Sequence, residues 1–127
     1  MLQVNHLYKS YKTGNTTYEV LKDVSFSIEE GEFVAVMGPS GSGKTTLLNC
    51  ISCFIPHDKG EILLDGVNIS NMKEEQIAKI RNEKLGFVFQ DFMLLDGLNV
   101  FENVCVPKVI HQEPYRQMET KAEKLLK

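Results

Sequence analysis

Gly38-Pro39-Ser40-Gly41-Ser42-Gly43-Lys44-Thr45 brings together glycines, one lysine and a hydroxyl, the residue types needed to grip a chain of phosphates. The run fits Gly, four residues, Gly-Lys-Ser/Thr without a mismatch. Glycines let the backbone curl with its N–H groups turned inward, a nest for phosphate oxygens. A helix starting near Lys44 would aim its positive end at the same place. Lys44 should reach the β- and γ-phosphate oxygens, and the Thr45 hydroxyl should ligate Mg²⁺. The candidate binding residues are therefore Gly38, Ser40, Gly41, Ser42, Gly43, Lys44, Thr45 and Thr46. A glycine-rich turn could meet the pattern by chance. The flanking sequence argues otherwise, because an apolar run ends at Met37 and an apolar helix follows Thr46.

Those flanks are the elements that must hold the loop. Glu32 to Met37 and Lys84 to Gln90 are short apolar runs of the kind that form strands buried on both faces. Thr45 to Phe54 reads as a helix closed by Pro56. Leu2 to Tyr11 and Tyr18 to Ile28 alternate as half-buried antiparallel strands do, with Gly14-Asn15 as the turn between them. Gly60 to Ile69 is a hairpin folded about Asp65-Gly66. Lys73 to Asn82 is a short amphipathic helix, and its mixed charges make a solvated face. Asp91 to Val100 reads as loop, and Phe101 to Ile110 stays ambiguous because Pro107 interrupts it. Tyr115 to Lys127 is a helix with Met118, Ala122, Leu125 and Leu126 on one side.

Composition narrows the classes. The chain has 127 residues, 43% hydrophobic and 24% charged, enough to bury the core of one domain. A net charge of −3 argues against a nucleic-acid backbone as partner. No apolar run reaches membrane-spanning length and no secretory leader is visible. The three cysteines are too few for a disulfide scaffold, which favours a reducing, cytoplasmic location. Cys50 and Cys53 spell Cys-x-x-Cys, but in the body of a helix they read as small buried hydrophobes. His6, His57 and His111 read as surface or packing residues.

Two further segments point to a family. Leu7-Tyr8-Lys9-Ser10-Tyr11 leads into Val20 to Glu32, and Leu85-Gly86-Phe87-Val88-Phe89-Gln90 leads into Phe92 to Leu95 and Glu102-Asn103-Val104. With the phosphate loop, these make the chain resemble the N-terminal half of an ABC transporter ATP-binding subunit, of the macrolide-export and lipoprotein-release branch. The resemblance runs from about Val4 to Lys127. It implies an α/β fold: a P-loop NTPase core with a mainly parallel sheet plus an antiparallel β layer. Residues 1–31 and 60–70 would form the β layer, 32–59 and 71–90 the P-loop core, and 91–127 the Q-loop and the start of a helical subdomain.

The resemblance also assigns roles. Tyr11 would be the platform on which adenine stacks, with Tyr8, or a core role for Tyr11, as alternatives. Gln90 would be the Q-loop glutamine beside the metal and the attacking water, catalytic together with Lys44 and metal-binding together with Thr45. The loop after Gln90, apolar at Phe92, Met93, Leu94 and Leu95, would face a transmembrane permease subunit, though the same residues could be satellite core. ATP and Mg²⁺ are the implied cofactors, with the subunit peripheral on the inner face of the cell membrane.

Departures matter as much. The chain has no Leu-Ser-Gly-Gly-Gln signature, no apolar strand ending in Asp-Glu and no later switch histidine. Asp65 and Asp96 each follow a pair of leucines, but glycine follows both, so they are turns. The domain is thus expected to stop before its second half, to bind Mg-ATP and to hydrolyse it poorly. Its bared sheet edge would favour homo-oligomers. A non-catalytic association fragment is one alternative. Another P-loop phosphotransferase is a second, disfavoured because 37 strand-rich residues precede Gly38.

Overall fold

The computed structural model describes residues 1–110 and 114–126, so His111 and Lys127 lie outside the described residues. The chain divides into two compact units, Met1–Leu85 and Gly86–Lys127.

The first unit is built on strands β1 (Leu2–Thr13), β2 (Thr16–Ile28), β3 (Lys59–Leu64) and β4 (Val67–Asn68), in the order β2-β1-β3-β4. Both expected hairpins form. β1 and β2 meet at Thr13↔Thr16 around Gly14, whose φ of 60° suits a tight turn. β3 and β4 turn at Asp65 and Gly66, with φ of 50° and 77°, the doubly left-handed turn that Asp-Gly favours. β1 and β3 bury Val4, Leu7 and Ile62 almost completely, each contributing about 1.5–3 kcal/mol.

The β1–β2 ladder slips between Val4 and Leu7, and His6 there has φ of 49°. His6 Nδ1 lies 2.6 Å from Asp23 Oδ1, and the His6 N–H donates to Ser25 Oγ at 2.8 Å. Gly60 fits against this bulge with φ of 101°, where a Cβ would stand 2.4 Å from the His6 carbonyl oxygen.

Helix α1 (Lys44–Ile51) packs its Cys50 into the core with Leu7, Leu21, Ile62 and Ile69. It ends three residues before the expected Phe54, because the Ser52 hydroxyl donates to the Leu48 carbonyl at 2.6 Å and Cys53 turns left-handed at φ 59°. The segment after it is tied to the sheet by Asp58. The Ser10 N–H donates to Asp58 Oδ2 at 2.6 Å, Lys9 Nζ reaches Oδ1 at 3.4 Å, and the Asp58 N–H donates to the Tyr8 carbonyl at 2.9 Å. Helix α2 (Glu74–Lys84) begins one residue later and ends two residues later than its charge pattern suggests.

Two expectations fail locally. Neither Glu32–Met37 nor Lys84–Gln90 forms a strand; Lys84 closes α2, and every ladder among the described residues is antiparallel. A strand buried on both faces needs a neighbour to pair with and a layer over each face. Phe33 is 98% exposed and Val88 fully exposed, so these runs have no such cover.

In the second unit the ambiguous stretch is helical, α3 (Val100–Ile110) with Pro107 inside it. It packs Phe101, Val104 and Cys105 against Met118 and Ala122 of α4 (Tyr115–Leu126). Leu125 and Leu126, expected on one side with Met118 and Ala122, are exposed.

Candidate functional site: a phosphate-binding loop

The loop from Gly38 to Gly43 enters α1 through two left-handed glycines, Gly41 at φ 79° and Gly43 at φ 94°. Gly43 is the helix N-cap and supplies no side-chain cap, and the first turn holds no acidic residue. The first helical N–H that bonds back to the cap is that of Leu47, 2.8 Å from the Gly43 carbonyl. The first-turn N–H groups before it have no intrahelical acceptor, so the positive end of α1 is bare.

Two close approaches shape the cradle. A Cβ on Gly38 would lie 2.8 Å from Ser42 Oγ, and one on Gly43 would lie 3.0 Å from Val20 Cγ1. Lys44 folds back over the loop, donating to the Gly38 and Pro39 carbonyls at 2.7 Å each and to Ser42 Oγ at 3.4 Å. Its ammonium is thereby held against the main chain of the loop. Ser40, Gly41, Gly43, Lys44, Thr45 and Thr46 line an open cavity of about 580 Å³ together with Val20. Val20 was not singled out by its sequence; its only signal is its place in the β2 alternation.

A triphosphate fits this donor set. Bare N–H groups, one ammonium and the threonine hydroxyls all favour anionic oxygen, and no carboxylate lines the cavity. A hydroxyl such as that of Thr45 is a hard oxygen donor, the kind that a cation accompanying phosphate takes.

Two further candidates are Tyr11 and Gln90. Tyr11 is near the tip of the β1–β2 hairpin, 43% exposed and opposite Tyr18 in the ladder. Lys9 Nζ sits 5.4 Å from its ring centroid, and Tyr11 does not line the cavity. Gln90 belongs to the second unit and is exposed.

The cysteine pair lies at the far end of α1. Burial pushes the Cys50 thiol up to about 11, with Asp58 and Cys53 adding to the shift and Lys9 opposing it. Cys53 is raised for the same first reason. Among the described residues no group of His, Cys, Asp and Glu could hold a metal ion. Cys50 is buried, as its reading as a small buried hydrophobe expects, whereas Cys53 is only half-buried.

Beyond Gln90, Asn99 and Glu102 have a structural task of their own. Asn99 Oδ1 accepts from the Glu102 N–H at 2.9 Å, and Glu102 Oε2 accepts from the Asn99 N–H at 2.8 Å. This is a reciprocal cap on α3. Its signal, Asn-x-x-Glu before an apolar run, is present in the sequence.

Comparison with known proteins adds the context of the loop. The chain is 54% identical to YxdL of Bacillus subtilis (strain 168), an ABC transporter ATP-binding protein, over 95% of this chain and 47% of the relative. It is 41% identical to BceA of Halalkalibacterium halodurans, a bacitracin export ATP-binding protein, over 95% of this chain and 48% of the relative. The ATP-binding cassette MJ0796, solved as a dimer bound to ADP and Pi, superposes with a TM-score of 0.88 at 37% identity, covering 98% of this chain and 55% of that one. The chain thus spans about half the length of the relatives it matches. The α/β architecture, antiparallel layer included, is that of solved cassettes, although its expected parallel pairings are not made here. A family model described as ABC transporter matches residues 21–127, and with the loop, helix and β layer in their places this chain belongs to the ABC transporter family.

Proposed function

We propose that this chain is the ATP-binding part of an ABC transporter ATPase that couples ATP binding and hydrolysis to the work of a transmembrane permease. The observation that carries the reading is the bare N-terminus of α1 behind a glycine cradle with Lys44 folded over it. The backbone N–H groups of Gly38, Ser40, Gly41, Ser42 and Gly43 and those of Lys44, Thr45 and Thr46 bind the phosphate oxygens. Lys44 leaves its two carbonyl acceptors and brings its charge onto the β- and γ-oxygens. The Thr45 hydroxyl and Gln90 are the proposed ligands of Mg²⁺, which when bound neutralises charge on the phosphates. Tyr11, at the hairpin tip, is the proposed adenine platform.

The described residues contain no Asp-Glu strand end and no Leu-Ser-Gly-Gly-Gln segment, the groups that complete water attack in the family. Affinity without useful turnover is the expected behaviour of these residues alone. The exposed apolar residues Phe92, Met93, Leu94 and Leu95 are proposed to meet the permease. No helix among the described residues is long and apolar enough to cross a membrane, which fits a cytoplasmic subunit bound to the membrane face through that partner. The antiparallel layer (1–31 and 60–70), P-loop core (32–59 and 71–90) and Q-loop with the start of the helical subdomain (91–127) remain the proposed partition.

Calorimetric titration with Mg²⁺ and a non-hydrolysable ATP analogue tests the core of this. Binding should fall at least about tenfold in Lys44→Ala, the loss of one charge-assisted contact. Affinity unchanged by that substitution would refute the proposal.

A further inference from the structure

The side chain of Asn103 makes four hydrogen bonds, and all of them go to the loop that precedes its own helix. Its Oδ1 accepts from the Leu95 N–H at 2.9 Å, and the two N–H groups of its Nδ2 are shared among the carbonyls of Leu95 at 3.3 Å, Leu98 at 3.0 Å and Asn99 at 3.0 Å. The donor and acceptor ends are each matched, so the orientation of the amide follows from its partners. Leucine has nearly the same shape and could make none of these bonds. Aspartate could keep only the one it accepts.

What the four bonds hold is a tight turn. The Leu98 N–H donates to the Leu95 carbonyl at 3.1 Å, and just upstream Met93 is left-handed at φ 52° while Phe92 is 91% exposed. Exposed apolar residues on an untied loop would collapse or sample many shapes. The cap formed by Asn99 and Glu102 is separate: it starts α3 and does not touch Leu95.

We infer that Asn103 is the positioning residue that sets the conformation of the 92–99 loop, and through it the apolar surface offered to the partner. This rests on the reading of that loop as partner-facing. Asn103 acts from the first turns of α3, half-buried and without touching nucleotide, by fixing main-chain groups of Leu95, Leu98 and Asn99.

Residue-resolved hydrogen exchange on the chain by itself tests this, with Asn103→Ala, Asn103→Asp and Glu102→Ala. In Asn103→Ala the Leu95 amide should exchange at least about tenfold faster, while amides in the later turns of α3 stay protected. Asn103→Asp keeps the acceptor and should fall between wild type and Asn103→Ala. Glu102→Ala breaks the cap and should loosen the first turn of α3 while leaving Leu95 protected. If Glu102→Ala frees Leu95 as much as Asn103→Ala does, or if α3 amides move together with Leu95, Asn103 only supports its helix and the inference is wrong. Should Asn103→Ala fail to fold, the other two variants decide by the same criteria. No permease enters the measurement, so failure of the partner reading and failure of this inference are separate results.

Discussion

Replacing Gly43 by alanine attacks the cradle at its hinge with α1. At φ 94° an L-residue costs roughly 1–2 kcal/mol relative to glycine. The new Cβ would also stand 3.0 Å from Val20 Cγ1, 3.3 Å from Leu21 Cδ2 and 3.3 Å from the Val20 carbonyl oxygen. Relieving that overlap takes a shift of β2 or α1 and costs about 1 kcal/mol or more. The sum is about 2–4 kcal/mol, a large part of what a domain of this size has to spare. Gly41 is the internal control, because it too is left-handed, at φ 79°, but nothing lies within 4 Å of its built Cβ. Gly41→Ala should therefore show the strain without the overlap. Urea unfolding followed by circular dichroism measures both, and the difference between the two midpoints isolates the contact with Val20. The shift of α1 should also weaken nucleotide binding in Gly43→Ala. Equal costs for the two substitutions, or a cost below about 0.5 kcal/mol at Gly43, would refute the steric argument.

Gly60→Ala should be the more damaging change, since its Cβ would lie 2.4 Å from the His6 carbonyl oxygen and 2.7 Å from that of Asn5, both rigid main-chain atoms. Loss of the cooperative unfolding transition is the expected outcome, and a midpoint near wild type would contradict the β1–β3 approach. Cys50 gives a pH test: burial lifts its thiol from an ordinary 9.0 to about 11, so the folded chain holds that proton more tightly than the unfolded one. Stability is undiminished below pH 9 and falls as pH rises towards 11, and alkylation of Cys50 at pH 8 should be slow until urea is added. Denaturation curves across that range, with Cys50→Ala flattening the alkaline limb, check it.

The phosphate loop was legible because its demands are local. Positive φ needs glycine at 41 and 43, an ammonium needs lysine at 44, and the order along the chain sets their order in space. Both antiparallel hairpins were legible for the same reason, since period-two alternation and Gly14 or Asp65-Gly66 specify a short-range pairing. The Asn99–Glu102 cap is equally local, since its two residues stand three apart and bond each other's main-chain N–H.

Other features depended on partners far away in the chain. Residues 32–37 are as apolar as any buried strand, but a ladder requires a neighbour, and none pairs with them here. Lysine at 9 gives no hint that it reaches Asp58, nor glycine at 60 that it faces His6, because those contacts exist only once β3 lies against β1. The four bonds of Asn103 are short in sequence yet invisible in it, since they depend on the loop curling back over the start of α3. By itself the sequence determined the chemistry of the phosphate grip and the family, which rest on residue types at fixed spacing. Only the tertiary structure decided what holds those residues in place, because main-chain polar groups carry no residue name and find their partners only when the chain has folded.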